Sequence, residues 1–135
     1  MQNKKKYAIM FGMCMSKVNL KAKLISDDEN LEVNTKCLKS KNKIIYKEND
    51  VTVTIMINSN IIELERLCRE YKINLIFDAT KSTISTYELF GAPKKFELET
   101  ITKKLDFDES NLIIEYELEG NNFSYVVELG GSHDN

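Results

Sequence analysis

The amino-acid sequence predicts an all-β protein, a single up-and-down antiparallel β-barrel of eight to ten strands. First, apolar and polar residues alternate with a period of two along most of the chain, as in strands with one face in a core and one in water. Second, polar turn sequences interrupt this alternation at hairpin spacing, so sequence neighbours should pair antiparallel. Third, 135 residues with 42% hydrophobic content suit one domain. Such a run of strands protects its edges by closing into a barrel or folding as a sandwich.

The first half of the chain contains four strands separated by polar turns. Apolar residues occupy every second position, and in the fourth strand they are the β-branched Val51, Val53, Ile55 and Ile57, which favour strands. The turns are rich in Asp, Asn, Ser and Lys, and Asp, Asn and Ser favour chain reversal. The predicted strands are 17–24, 31–37, 44–48 and 51–57.

Residues 61–72 fit either of two structures. As a helix, Ile61, Leu64 and Cys68 would share a face, and the segment is rich in good helix formers. As a strand, Leu64 and Arg66 would share a face. The regular hairpin spacing on both sides favours the strand, which is our prediction.

The second half of the chain continues the same pattern. Gly91–Pro93 predicts a tight connection, and Gly120–Asn122 predicts a hairpin. The predicted strands are 73–79, 83–90, 96–103, 112–118 and 123–129. Aromatic residues on their apolar faces are predicted to fill the core rather than to stack on bases: Phe77, Phe96, Tyr116, Phe123 and Tyr125.

Several short sequences follow one another in a recognisable order across residues 16–129. They are Ile45–Glu48, the strand that ends at Arg66, Thr86–Gly91, Thr102–Leu105 and Ile114–Leu118. In this order they resemble the YwiB-like family of small bacterial calycin-like β-barrels, which is functionally uncharacterised. The resemblance implies a calycin- or lipocalin-like barrel and no established activity. The chain departs from the family pattern at Leu67–Glu70, where the family usually has a glycine soon after the arginine.

The ends of the chain lie outside this resemblance. Residues 1–15 contain the basic Lys4–Lys6, followed by an apolar run. This run is too short to span a bilayer, and it lacks a cleavage site. We therefore predict an N-terminal arm at 1–15 rather than a targeting signal, a barrel domain at 16–129 and a disordered tail at 130–135.

Composition and motifs argue against several functions. The formal charge of −2 predicts no nucleic-acid partner. Three cysteines without a CxxC pair predict a reducing, cytoplasmic location and no zinc site. The single histidine, His133, lies in the tail, so histidine-based catalysis is not expected, and the sequence predicts no enzyme and no cofactor. The segment from Asp106 to Glu117 is spaced like a calcium loop, but Asn111 replaces the usual glycine, and an acidic hairpin turn is the better interpretation.

The candidate binding residues are Arg66, Tyr46, Glu48 and Tyr87. In the predicted strand Arg66 shares a face with Leu64, and a charge on an apolar face is costly unless it is paired. Our hypothesis is that these residues point into the barrel and bind a small, partly apolar or anionic ligand. Two simpler interpretations stay open. Glu48 pairs with Arg66, or Arg66 extends to solvent.

Two functions follow from these alternatives. The first is a non-catalytic barrel that holds a small molecule, without a membrane partner. The second is an interaction or assembly module with a packed core, which would act through its surface, an open edge or the N-terminal arm; a homodimer is one such assembly. An enzyme is a distant third.

Overall fold

The computed structural model describes residues 15–92 and 94–130. Within these residues every regular element is a strand, which confirms the all-β prediction. Residues 1–14 and 131–135 of the predicted arm and tail lie outside the described residues. The strands are β1 (Ser16–Ser26), β2 (Asn30–Lys39), β3 (Lys43–Glu48), β4 (Val51–Asn58), β5 (Ile61–Leu67), β6 (Tyr71–Asp78), β7 (Thr83–Leu89), β8 (Lys94–Phe107), β9 (Asn111–Leu118) and β10 (Asn121–Leu129).

The sheet closes on itself as a ten-stranded up-and-down barrel. Each strand pairs antiparallel with its neighbours in sequence, and β1 pairs with β10 through a register that sets Leu20 opposite Leu129 and Leu24 opposite Tyr125. Beyond this register, Gly130 donates its backbone N–H to the carbonyl oxygen of Asn19 at 2.8 Å. Closure gives both terminal strands a partner, so neither presents an open edge.

The core forms where the inward-facing residues of the strands meet. Alternation places every second side chain inside, and the inward residues are mainly Leu, Ile, Val and aromatic. Val53, Ile55, Ile62, Phe77 and Ile114 have no exposed surface. One aromatic prediction is wrong. Phe96 is 44% exposed, because it lies close to the start of β8, where the barrel wall ends.

The segment from Ile61 is a strand, as predicted, despite its helix-forming composition. Ile62 and Leu64 are buried in the barrel while Glu63 faces solvent, the burial pattern of a strand. Pairing with β4 and β6 supplies backbone hydrogen bonds and burial together, which outweighs a local propensity of a few tenths of a kcal/mol per residue. The strand ends at Leu67, and β6 begins at Tyr71, earlier than predicted.

Strand β8 is longer than predicted. A register shift between Thr102 and Lys104 lets the strand continue to Phe107, because the irregularity resets the alternation and Leu105 becomes half-buried. The connection to β9 is therefore only 108–110, shorter than the gap between the predicted strands 96–103 and 112–118. Asp108 organises it, since its Oδ1 accepts hydrogen bonds from the backbone N–H groups of the residues two and three positions ahead, at 2.8 and 2.9 Å.

Side-chain hydroxyls join the barrel wall between β6 and β7. The backbone register between these strands covers Tyr71–Asn74 and Thr86–Leu89. Beyond it, the backbone N–H of Ile76 donates to Ser85 Oγ at 3.0 Å, and Ser85 Oγ lies 2.6 Å from Thr100 Oγ1 of β8. Ser85 and Thr100 are both fully buried. The Ser85 hydroxyl therefore serves as the hydrogen-bond partner of the Ile76 N–H, which lies beyond the backbone register between β6 and β7.

We expect Ser85→Ala to lower the free energy of unfolding by about 1–2 kcal/mol, because it removes the acceptor of the half-buried Ile76 N–H and the hydroxyl partner of the fully buried Thr100. Urea denaturation measures the change. The matched control is Ser124→Ala on β10, where the serine is half-buried, and its expected effect is within about 0.5 kcal/mol. Equal losses in the two variants would show that the hydroxyl bond contributes nothing specific.

Candidate functional site

A cavity of about 310 Å³ lies inside the barrel, at the end that carries the turn between β3 and β4 and the turn between β5 and β6. We call it the Arg66 cavity. Its apolar wall consists of Ala22, Leu24, Leu31, Val33, Ile73, Leu75, Leu98 and Leu118. Its polar lining consists of Tyr46, Glu48, Arg66, Tyr87, Tyr116 and Tyr125. The structure thus brings all four residues chosen from the sequence to one cavity.

Glu48 and Arg66 come together across β4. Arg66 pairs in register with Val53, and Glu48 pairs with Val51 on the other side of the same strand. Alternation turns both side chains inward, and Arg66 Nη1 lies 2.9 Å from Glu48 Oε1. Their side chains keep 27% and 23% of their surface exposed. The ion pair proposed as an alternative from the sequence is therefore present, and it belongs to the cavity lining.

The surroundings of Arg66 hold its guanidinium in the charged form. Burial is the largest influence and acts to lower its pKa, but hydrogen bonds to Glu48 and Tyr71 and the Glu48 charge outweigh it, so the pKa is raised. Glu48 is thus the partner that offsets the cost of desolvating this cation.

Two tyrosines that the sequence reasoning assigned only to the core also line the cavity. Tyr125 of β10 shares a buried hydrogen bond with Tyr46, with 2.6 Å between the hydroxyl oxygens. Burial raises the pKa of all three tyrosine hydroxyls. The pKa of Tyr46 is raised, that of Tyr125 is raised well above its usual value, and that of Tyr116 is raised to about 12. These hydroxyls therefore stay protonated at neutral pH. Their inward positions were readable from the alternation, but the approach of Tyr125 to Tyr46 depends on barrel closure.

Tyr87 completes the polar lining from the other side of the barrel. Its ring meets that of Tyr71 edge-on, with 5.9 Å between centroids, and lies 6.0 Å from the tilted ring of Phe96. These aromatic contacts restrain the ring orientation. The cavity therefore combines an apolar wall with an ion pair and tyrosine hydroxyls, which suits binding of a small molecule with one polar end.

Within 15–92 and 94–130, no three His, Cys, Asp or Glu side chains are grouped as metal ligands. Cys37 is free and buried, and burial raises the pKa of its thiol, which makes it a poor nucleophile.

A second cavity of about 500 Å³ lies at the opposite end of the barrel. We call it the Lys41 cavity. Ile44 and Leu112 contribute apolar surface, while Lys41 and Glu109 are exposed residues of the bordering turns. Its charged residues lie on turns or at the ends of strands, as Lys39 and Lys43 do, whereas the Arg66 cavity holds a hydrogen-bonded charge pair on inward-facing strand positions. The Arg66 cavity is therefore the better candidate site.

Fold and site together define the class: a closed antiparallel β-barrel with a cavity whose lining combines apolar side chains with an ion pair and tyrosine hydroxyls. The chain belongs to the family described as a domain of unknown function (DUF1934), whose model matches residues 16–126. This agrees with the resemblance noted in the sequence.

A solved structure has the same fold. The crystal structure of ywiB protein from Bacillus subtilis matches this chain with a TM-score of 0.63 and 20% sequence identity, over 87% of this chain and 95% of that one. No curated protein gives a significant match. Among the described residues there is also no helix with the length and apolar character needed to cross a bilayer.

Proposed function

We propose that this protein is a non-catalytic barrel that binds a small, partly apolar molecule in the Arg66 cavity, in the manner of calycin-like carriers. The observation that carries the proposal is the cavity itself, which lies between barrel strands, is partly open to solvent, and is lined by apolar side chains together with an ion pair and tyrosine hydroxyls. A packed-core interaction module would have no use for such a space. The cavity therefore favours ligand binding over the interaction module.

The size of the cavity limits the ligand. At about 30 Å³ for each molecule of liquid water, 310 Å³ corresponds to roughly ten waters, so a ligand of roughly ten non-hydrogen atoms fits. Pockets of this size are at the lower end of the range for small-molecule sites. The proposal includes no cofactor and no nucleic-acid partner, and the free thiols of Cys37 and Cys68 suit a reducing cytoplasm.

The test is binding of 1-octanol, an apolar chain with one hydroxyl, followed by isothermal titration calorimetry. We expect Ala22→Leu to weaken octanol binding by at least about tenfold, or about 1.4 kcal/mol at 25 °C, because the larger side chain projects into the cavity. Ala22 is 3% exposed and lines the cavity, so the new side chain fills existing space and the stability should be kept.

The matched control is Ala79→Leu, an exposed position just after β6 at the opposite end of the barrel. It should bind octanol like the wild type. Octanol binding that is absent from the wild type, or equal in the two variants, would contradict the proposal. Native mass spectrometry of freshly purified protein adds a second readout. A co-purified small molecule supports the carrier, and a ligand-free dimer supports the interaction module.

A further inference from the structure

The charges in the Arg66 cavity are already balanced. Among the described lining residues, Arg66 is the only cation and Glu48 the only carboxylate, and they bind each other at 2.9 Å. The other polar lining groups are tyrosine hydroxyls. An incoming ligand therefore meets a polar cluster with a formal charge of zero rather than a free guanidinium.

We infer that the ligand's polar end is an uncharged group that both donates and accepts hydrogen bonds, such as a primary amide or a hydroxyl, and not a carboxylate. This inference rests on the proposed function and specifies the ligand class. It replaces the anionic ligand that Arg66 alone suggested from the sequence.

A ligand carboxylate is disfavoured for two reasons. To pair with Arg66 it would have to displace Glu48 or approach it closely, and like charges that share a desolvated site repel each other. A displaced Glu48 would also lose its cation while three-quarters of its side-chain surface stays covered. Tyrosine hydroxyls can donate hydrogen bonds to a carboxylate, but they supply no positive charge to neutralise a second anion.

A neutral group finds complementary partners without breaking the pair. Glu48 offers a second carboxylate oxygen as an acceptor, and Arg66 carries further N–H donors besides Nη1. The hydroxyls of Tyr46 and Tyr125 stand 2.6 Å apart in the same lining and can donate or accept. An amide presents both donors and an acceptor, so it matches this mixture, whereas a carboxylate only accepts.

The test compares octanamide with octanoate, two ligands of nearly equal size that differ in charge. By titration calorimetry at neutral pH, we expect the wild type to bind octanamide at least about tenfold more tightly than octanoate, which corresponds to about 1.4 kcal/mol at 25 °C. If octanoate binds equally well or better, the inference is wrong. Octanol binding, from the previous test, then decides separately whether the proposed function stands.

Glu48→Gln adds a sharper comparison. The change removes the negative partner but keeps a side chain of the same shape, so Arg66 becomes available to an anion. We expect octanoate to gain at least about tenfold in affinity, with octanamide changed much less. The matched control Glu63→Gln makes the same charge change on the exposed side of β5 and should keep the wild-type preference. The Tm of Glu48→Gln shows whether the variant is folded. If the folded variant keeps the wild-type preference for octanamide, the inference is wrong. If the variant does not fold, the comparison of the two ligands in the wild type decides the inference.

Discussion

Replacing Phe77 with alanine should lower the free energy of unfolding by about 3–5 kcal/mol, the largest effect expected from a single substitution in this barrel. Phe77 has no exposed surface, stands opposite Ile62 in the register and lies 4.7 Å from the Tyr116 ring between centroids. Its removal loses the burial of a large apolar side chain and leaves a void that the closed wall cannot fill. Chemical denaturation monitored by circular dichroism measures the loss.

Phe90→Ala is the matched control for this prediction. Phe90 is 43% exposed just after β7, so the same truncation there removes much less buried surface. We expect a loss of under about 1 kcal/mol. Similar losses in the two variants would contradict a core that is organised around Phe77.

Replacing Arg66 with leucine should lower the free energy of unfolding by about 2–4 kcal/mol, because it leaves the Glu48 carboxylate desolvated without a cation. The estimate lies below that for a fully buried pair, since the two side chains keep 27% and 23% of their surface exposed. Removing both charges in the double variant Arg66→Leu with Glu48→Leu should recover most of the loss. Denaturation of the two single variants and the double variant gives the coupling energy directly.

The pair between Lys72 and Glu65 is the control for this cycle. Their charged atoms are 3.7 Å apart, and 44% and 34% of the side-chain surface is exposed. Lys72→Leu should cost under about 1 kcal/mol, since solvent screens such a pair. If Arg66→Leu is as mild as Lys72→Leu, then the cavity pair is solvated like a surface pair, and the electrostatic basis for a neutral ligand is lost.

Much of the fold could be predicted from the sequence because its main signals are local. A period of two places Val53 and Ile55 on one face whatever their partners, and polar residues between the runs mark the turns. Ile61–Leu67 shows the limit of this reasoning. Its helix-forming residues fit two structures, and only pairing with the strands on both sides selects one of them. Leu105 marks another limit, because a register shift in β8 is invisible to a simple alternation count.

The candidate site could likewise be predicted from the sequence only in part. That Arg66 and Glu48 each face inward follows from their positions in alternating strands, and their pairing was one of the arrangements open from the sequence. Only the tertiary structure decided that they pair across β4.

By itself, the sequence determined the strands, most of their turns and the inward faces, because these depend on the order of neighbouring residues. The tertiary structure alone decided that β1 closes on β10, that Tyr125 meets Tyr46, and that the closed wall leaves a cavity beside Arg66. These features depend on distances between residues far apart in the chain. Such distances are set by strand number, register and packing together.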